Sequence, residues 1–145
     1  MDFPITDSNF VGTLIPQKAP FVMVDKLVSY SDTHIVAGLK VTSDNIFEFQ
    51  NKFQESGVIE HMAQSVALHT GYQFYLKKEE APTGYIGSIK SIEIKRNPEL
   101  GDEMITTVTI LQEFLGVTLV EMVTTVNEEE IAKGQMKTVL ASANE

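Results

Sequence analysis

The chain has no cysteine among its 145 residues. Disulfides, thiolate nucleophiles and cysteine-ligated zinc are therefore excluded, and a cytoplasmic location is expected. Positive charge is scarce: 11 Lys plus Arg face 20 Asp plus Glu, for a net charge of −9 and a sequence pI of about 4.7. Nucleic acid and anionic membrane surfaces demand clustered cations, so neither is an expected partner. No apolar run approaches the length of a membrane-spanning helix. Met1 to Phe10 lacks the basic and apolar regions of a signal peptide. There is no HExxH or comparable spacing, no Gly-rich phosphate cradle and no G-x-S-x-G nucleophile, so neither a metal nor a cofactor is expected. One more absence bears on function: no histidine lies between His34 and His61.

What is present suits a globular protein. Hydrophobic residues make up 43% and charged residues 21%, enough for one sizeable core. Without internal repeats or a low-complexity linker, a single domain over residues 1–145 is expected. Asp7 or Ser8 is placed to cap a short helix ending near Leu14, and Pro16 and Pro20 then break the chain. Phe21 to Ser29 and His34 to Val41 read as strands around a Ser31–Thr33 turn. Thr42 to Glu55 reads as irregular. Gly57 to about Lys78 reads as one long helix, apolar nearly all round in its first half and therefore buried. Four strands follow, Tyr85–Lys95, Met104–Phe114, Val117–Val126 and Ile131–Leu140. This order predicts an α+β fold, an antiparallel six-stranded sheet wrapped around one long central helix. Such a sheet leaves edge strands that a second chain would cover.

Glu60 stands near the start of that buried helix. A carboxylate there is costly unless it has a partner or a task. Gln64, four residues on, shares its face and is placed to hold the carboxyl. Gly57 and Val58, at the expected helix start, are placed to offer free N–H groups to a negatively charged atom.

The segment Ile59-Glu60-His61-Met62-Ala63-Gln64 resembles the helix of the hotdog-fold 3-hydroxyacyl-carrier-protein dehydratases. Three further segments resemble that family in the same order. Leu14 to Lys26 is similar to its Leu-Pro-His-Arg-x-Pro-Phe opening, Ile86 to Lys90 to the strand after the helix, and Ile94 to Asp102 to its Lys-x-Arg-x-Pro-x-x-Pro-Gly-Asp hairpin. Two features depart from the pattern. Gln17 replaces the histidine of the opening motif, and Phe47 to Glu55 replaces the Gly-His-Phe-Pro loop that carries the catalytic histidine. The short-loop form is most similar to dehydratase-related proteins of aryl-polyene-type pathways.

The resemblance implies a hotdog homodimer, or a heterodimer with a related dehydratase, acting on acyl-carrier-protein or CoA thioesters in fatty-acid or polyene-type biosynthesis. It implies Glu60 as acid/base, assisted by Gln64. Gly57, Val58, Gln17, Phe47, Phe49 and Phe53 become candidate substrate-binding residues, with the phenylalanines as core or pocket wall. Lys95 and Arg96 become a candidate carrier-protein contact. Two alternatives stand beside the enzyme. One is a degenerate subunit that binds acyl chains or completes an active dehydratase. The other is a thioesterase using Glu60. His61 lies about 100° round the helix from Glu60, so His34, His61 and His69 all read as surface or interface histidines.

Overall fold

The computed structural model describes residues 2–141; Met1 and residues 142–145 of the expected domain lie outside it. The chain opens with α1, Ser8–Thr13, whose N-cap Asp7 accepts from the N–H groups of Asn9 and Phe10 at 3.0 and 3.2 Å. Strands β1 (Lys26–Tyr30) and β2 (His34–Lys40) follow, then the two-residue strands β3 (Glu48–Phe49) and β4 (Lys52–Phe53). The long helix α2 runs Glu55–Leu76. It leads into β5 (Gly84–Ile94), β6 (Glu103–Phe114), β7 (Val117–Val126) and β8 (Glu129–Leu140).

Six strands form one antiparallel sheet in the order β1-β2-β6-β7-β8-β5. Helix α2 packs on β2, β5, β6 and β7, and the expected sheet-around-helix architecture is what the chain adopts. Inward residues of the strands, among them Ile35, Met104, Val108, Val120, Met122 and Met136, meet Val58, Met62 and Leu68 of the helix in a dry core. Their spacing of two along each strand is the pleat showing through the sequence.

Two expectations change. Phe21 to Ser29 was expected as one strand, but β1 begins only at Lys26. The backbone of Phe21 and Met23 is bonded instead to side chains of α2, so it joins no ladder. The Thr42–Glu55 stretch is not irregular throughout. β3 and β4 pair across Gln50 and Asn51, whose φ values of 51° and 67° suit a tight two-residue hairpin turn.

The two edges of the sheet differ. Ile5 closes the outer side of β1 through paired bonds with Leu27 of 2.8 and 2.9 Å. The outer side of β5 has no strand against it among the described residues. It exposes Tyr85, Ile86 and Ile89.

At Gly71 the segment after α1 rests directly on α2. A Cβ there would meet Leu14 O at 1.8 Å, whereas a Cβ on Gly12 would meet nothing within 4 Å. Gly71→Ala should therefore cost about 1–3 kcal/mol by overpacking and lower Tm by several degrees, whereas Gly12→Ala, helical but unobstructed, is the control that should hold or slightly raise Tm. Equal melting curves for the two variants would show that this contact is not tight.

Candidate functional site

Glu60 is the sixth residue of α2 and only partly buried. Its side chain helps line a cavity of about 510 Å³. The cavity runs along the helix past Ala63, Ala67 and Thr70, under the segment Leu14 to Gln17, to Ile86 and Leu140 at the ends of β5 and β8. Ala63, Ala67 and Thr70 lie three, seven and ten residues after Glu60, so they share its helical face. That spacing was visible in the sequence. Which face opened onto a cavity was not.

Gln64 holds the carboxylate from within the protein. Its Nε2 donates to Glu60 Oε2 at 3.0 Å and to Phe21 O at 2.8 Å, while its Oε1 accepts from Met23 N–H at 2.6 Å. The backbone partners decide the amide's orientation, since a carbonyl only accepts and an N–H only donates. Gln64 is fully buried and does not itself line the cavity. Gln17 does line it, and its Oε1 is buried with no hydrogen-bond partner among the described residues.

The expected free N–H donors need correction. The Gly57 and Val58 N–H groups both donate to Gln54 O, at 2.9 and 3.2 Å. The helix starts at Glu55 with Gln54 as its N-cap, two residues before the expected start, so the terminal donors are those of Glu55 and Ser56. Gly57 is instead a packing glycine. A Cβ on it would fall 2.5 Å from the Phe53 ring and 2.7 Å from Phe47 Cβ. Phe53 is fully buried in the core, and Phe47 meets it edge-on with ring centroids 6.4 Å apart. Phe49 is 62% exposed. None of Gly57, Val58 and the three phenylalanines lines the cavity beside Glu60.

The histidines also need correction. His61 is fully buried, not on a surface. Its Nδ1 lies 2.8 Å from Met23 O and its Nε2 lies 2.8 Å from Thr106 Oγ1. Desolvation pushes its pKa down to about 4. His69 is buried as well. Its Nε2 bonds Ser31 O at 2.9 Å, its ring stacks on Tyr30, and burial lowers its pKa. His34 is partly buried, with Nδ1 2.5 Å from Ser31 Oγ. His61 does point away from Glu60, as its place on the helix implies, but into the core. The opposite side of this helix is core, and a histidine there must find polar partners.

Lys95 and Arg96 are already paired. Lys95 meets Glu130, and Arg96 reaches Glu129 at 3.3 Å and Asp102 at 3.9 Å. They follow the far end of β5, nine residues beyond Ile86, which is roughly 30 Å along a strand.

A six-stranded antiparallel sheet around one helix, with a carboxylate and an amide at the helix opening, defines a hotdog-fold, dehydratase-like protein. Comparison with known proteins makes the class more specific. The ApeP-like family, described as ApeP dehydratase, matches residues 10–144, and the chain belongs to it. It is 27% identical over 133 residues to the 3-hydroxyacyl-[acyl-carrier-protein] dehydratase FabZ of Vibrio cholerae, covering 88% of this chain and 86% of that one. The FabZ of Thermotoga petrophila is 29% identical over 135 residues, covering 88% and 93%. Among solved structures, the dehydratase heterocomplex ApeI:P from Xenorhabdus doucetiae superposes with a TM-score of 0.86 at 19% identity, covering 93% of each chain. At that identity the likeness shows the fold.

The burial of His61 gives a pH prediction. Its folded-state pKa lies below the ordinary 6.5, so the unfolded chain takes up a proton first as pH falls. The stability due to the neutral ring is complete above about pH 6.5 and is lost towards pH 4, amounting to about 3 kcal/mol for a shift from 6.5 to about 4. His69 acts in the same direction, while the burial-raised pKa of Asp25 opposes it. The ring ¹⁵N signals of His61 should stay those of a neutral imidazole at pH 5.5, and urea unfolding midpoints should fall between pH 6.5 and 4. A ring already charged at pH 5.5 would contradict the buried placement.

Proposed function

We propose that the chain is one half of a dehydratase site for 3-hydroxyacyl thioesters, with Glu60 as its proton donor and the base supplied by a second hotdog chain. The carrying observation is the Glu60 cavity. Gln64 fixes the carboxylate at its wall, and among the described residues no histidine lines it. Dehydration needs two proton transfers. A base removes the α-proton, the electrons form the α,β double bond, and the β-hydroxyl leaves as water with a proton from an acid. In this reading Glu60 makes the second transfer. Among the described residues, the other ionisable side chains along the cavity wall are Glu80, exposed in the α2–β5 connection, and Tyr85, exposed on β5.

The open side of β5, with its exposed Tyr85, Ile86 and Ile89, is the edge on which a second chain would pair. The cavity ends at Ile86 on that same strand, so a chain seated there would lie beside the Glu60 site. A heterodimer with a histidine-bearing dehydratase follows naturally, and the solved relative described as a heterocomplex supports that reading. The substrate is an acyl chain on carrier protein or CoA, as in fatty-acid or polyene-type biosynthesis, in keeping with the FabZ relatives.

The test is hydration of a 2-enoyl carrier-protein thioester, followed by mass spectrometry. The chain is assayed alone, with a histidine-bearing dehydratase encoded nearby, and with that partner's histidine replaced. Water addition should appear only in the mixture with the intact partner. Glu60→Gln should reduce it by about 10²-fold or more, the usual worth of a positioned acid. Activity of the chain alone would overturn the shared-site reading, and release of free thiol would favour a thioesterase instead.

A further inference from the structure

A second set of residues lies behind Glu60. Met23 O can only accept, so His61 Nδ1 must carry the proton in that 2.8 Å bond. The buried ring is neutral, so its Nε2 is an acceptor and Thr106 must donate to it at 2.8 Å. With its hydrogen spent there, Thr106 Oγ1 accepts from Thr124 Oγ1 at 2.6 Å. On the other side of Met23, its N–H donates to Gln64 Oε1, and Gln64 Nε2 donates to Glu60 Oε2. Every donor from Thr124 to Gln64 therefore points the same way, towards the carboxylate.

We infer that Thr106 and His61 are positioning residues for Glu60, acting through Met23 and Gln64. Their effect passes through one rigid backbone residue. The Met23 carbonyl and N–H belong to different peptide units, so at that point the coupling is one of place rather than polarisation. His61 and Gln64 sit three residues apart on α2 and grip both polar groups of Met23, while Gln64 also takes Phe21 O. The segment cannot slide without releasing His61, and Gln64 cannot turn without releasing the segment. Thr106 and Thr124 lie on β6 and β7 and tie this grip to the middle of the sheet. The side chains and backbone groups in this chain of bonds all have partners, which the interior requires of them. Among the described residues, no ionisable side chain is bonded to His61. The role rests on the proposed use of Glu60, but the bonds themselves do not.

The experiment therefore separates the two. In the unmodified protein, ¹⁵N spectra at neutral pH should show His61 as the Nδ1–H tautomer; the Nε2–H tautomer would overturn the inference. In protein labelled at the glutamate carboxyl carbons, Thr106→Val should displace the Glu60 signal and Thr106→Ser should return it. In a Gln64→Leu background, Thr106→Val should displace it no further, because the last link is already cut. An unmoved Glu60 signal in folded Thr106→Val, or an equal displacement in the Gln64→Leu background, would also overturn it. With the partner chain present, Thr106→Val should lower kcat and leave KM unchanged. If the mixture proves inactive while the spectra behave as stated, the dehydratase reading fails and the positioning inference stands.

Discussion

Everything at the site depends on how a helix buried on most of its surface accommodates polar side chains. Helix α2 carries His61, Gln64, Ser65 and His69 into the interior, where each unpaired group would cost about 1–3 kcal/mol. Ser65 turns back onto His61 O at 2.7 Å. His69 takes Ser31 O, and His61 and Gln64 take the backbone of Met23. The price is that Phe21 to Met23 is withdrawn from strand pairing. The gain is a segment held against the helix opening, with one amide N–H left to face Glu60.

The same constraint explains why the cavity lies where it does. The chain after α1 is pressed onto Gly71 at one end of the cavity and continues into the gripped Phe21–Met23 segment beside Gln64. Between these two anchors Leu14 to Gln17 bridges over the small residues Ala63 and Ala67. Small side chains on the helix face, below a segment fixed at both ends, leave space that the core does not reclaim. Glu60 sits at the margin of that space, anchored by Gln64 and open to whatever enters.

Sequence reasoning read much of this. The β1–β2 pair, the long helix and the last four strands were legible from period and turn residues, because strands with one face on a core alternate and loops need Gly, Asn or Asp. Glu60 and Gln64 were legible as a pair because residues four apart on a helix are neighbours wherever the helix packs. The helix start was misplaced by two residues. Gln54 offers no side-chain cap to mark it, and that error moved the expected free N–H groups. The phenylalanines of the 47–53 stretch looked alike in sequence, yet one is core, one half-packed and one exposed. Their fate turns on a two-residue hairpin that no periodicity announces.

The sequence by itself determined the architecture, the acidic surface and the carboxylate–amide pair, since these follow from local spacing and composition. Only the tertiary structure decided what lies behind the pair. His61 meets Thr106 from 45 residues away, and Thr106 meets Thr124 across two strands. Contacts of that separation depend on strand register and on the rotation of the helix over the sheet. Those are settled by packing the whole core at once, and no local pattern encodes them.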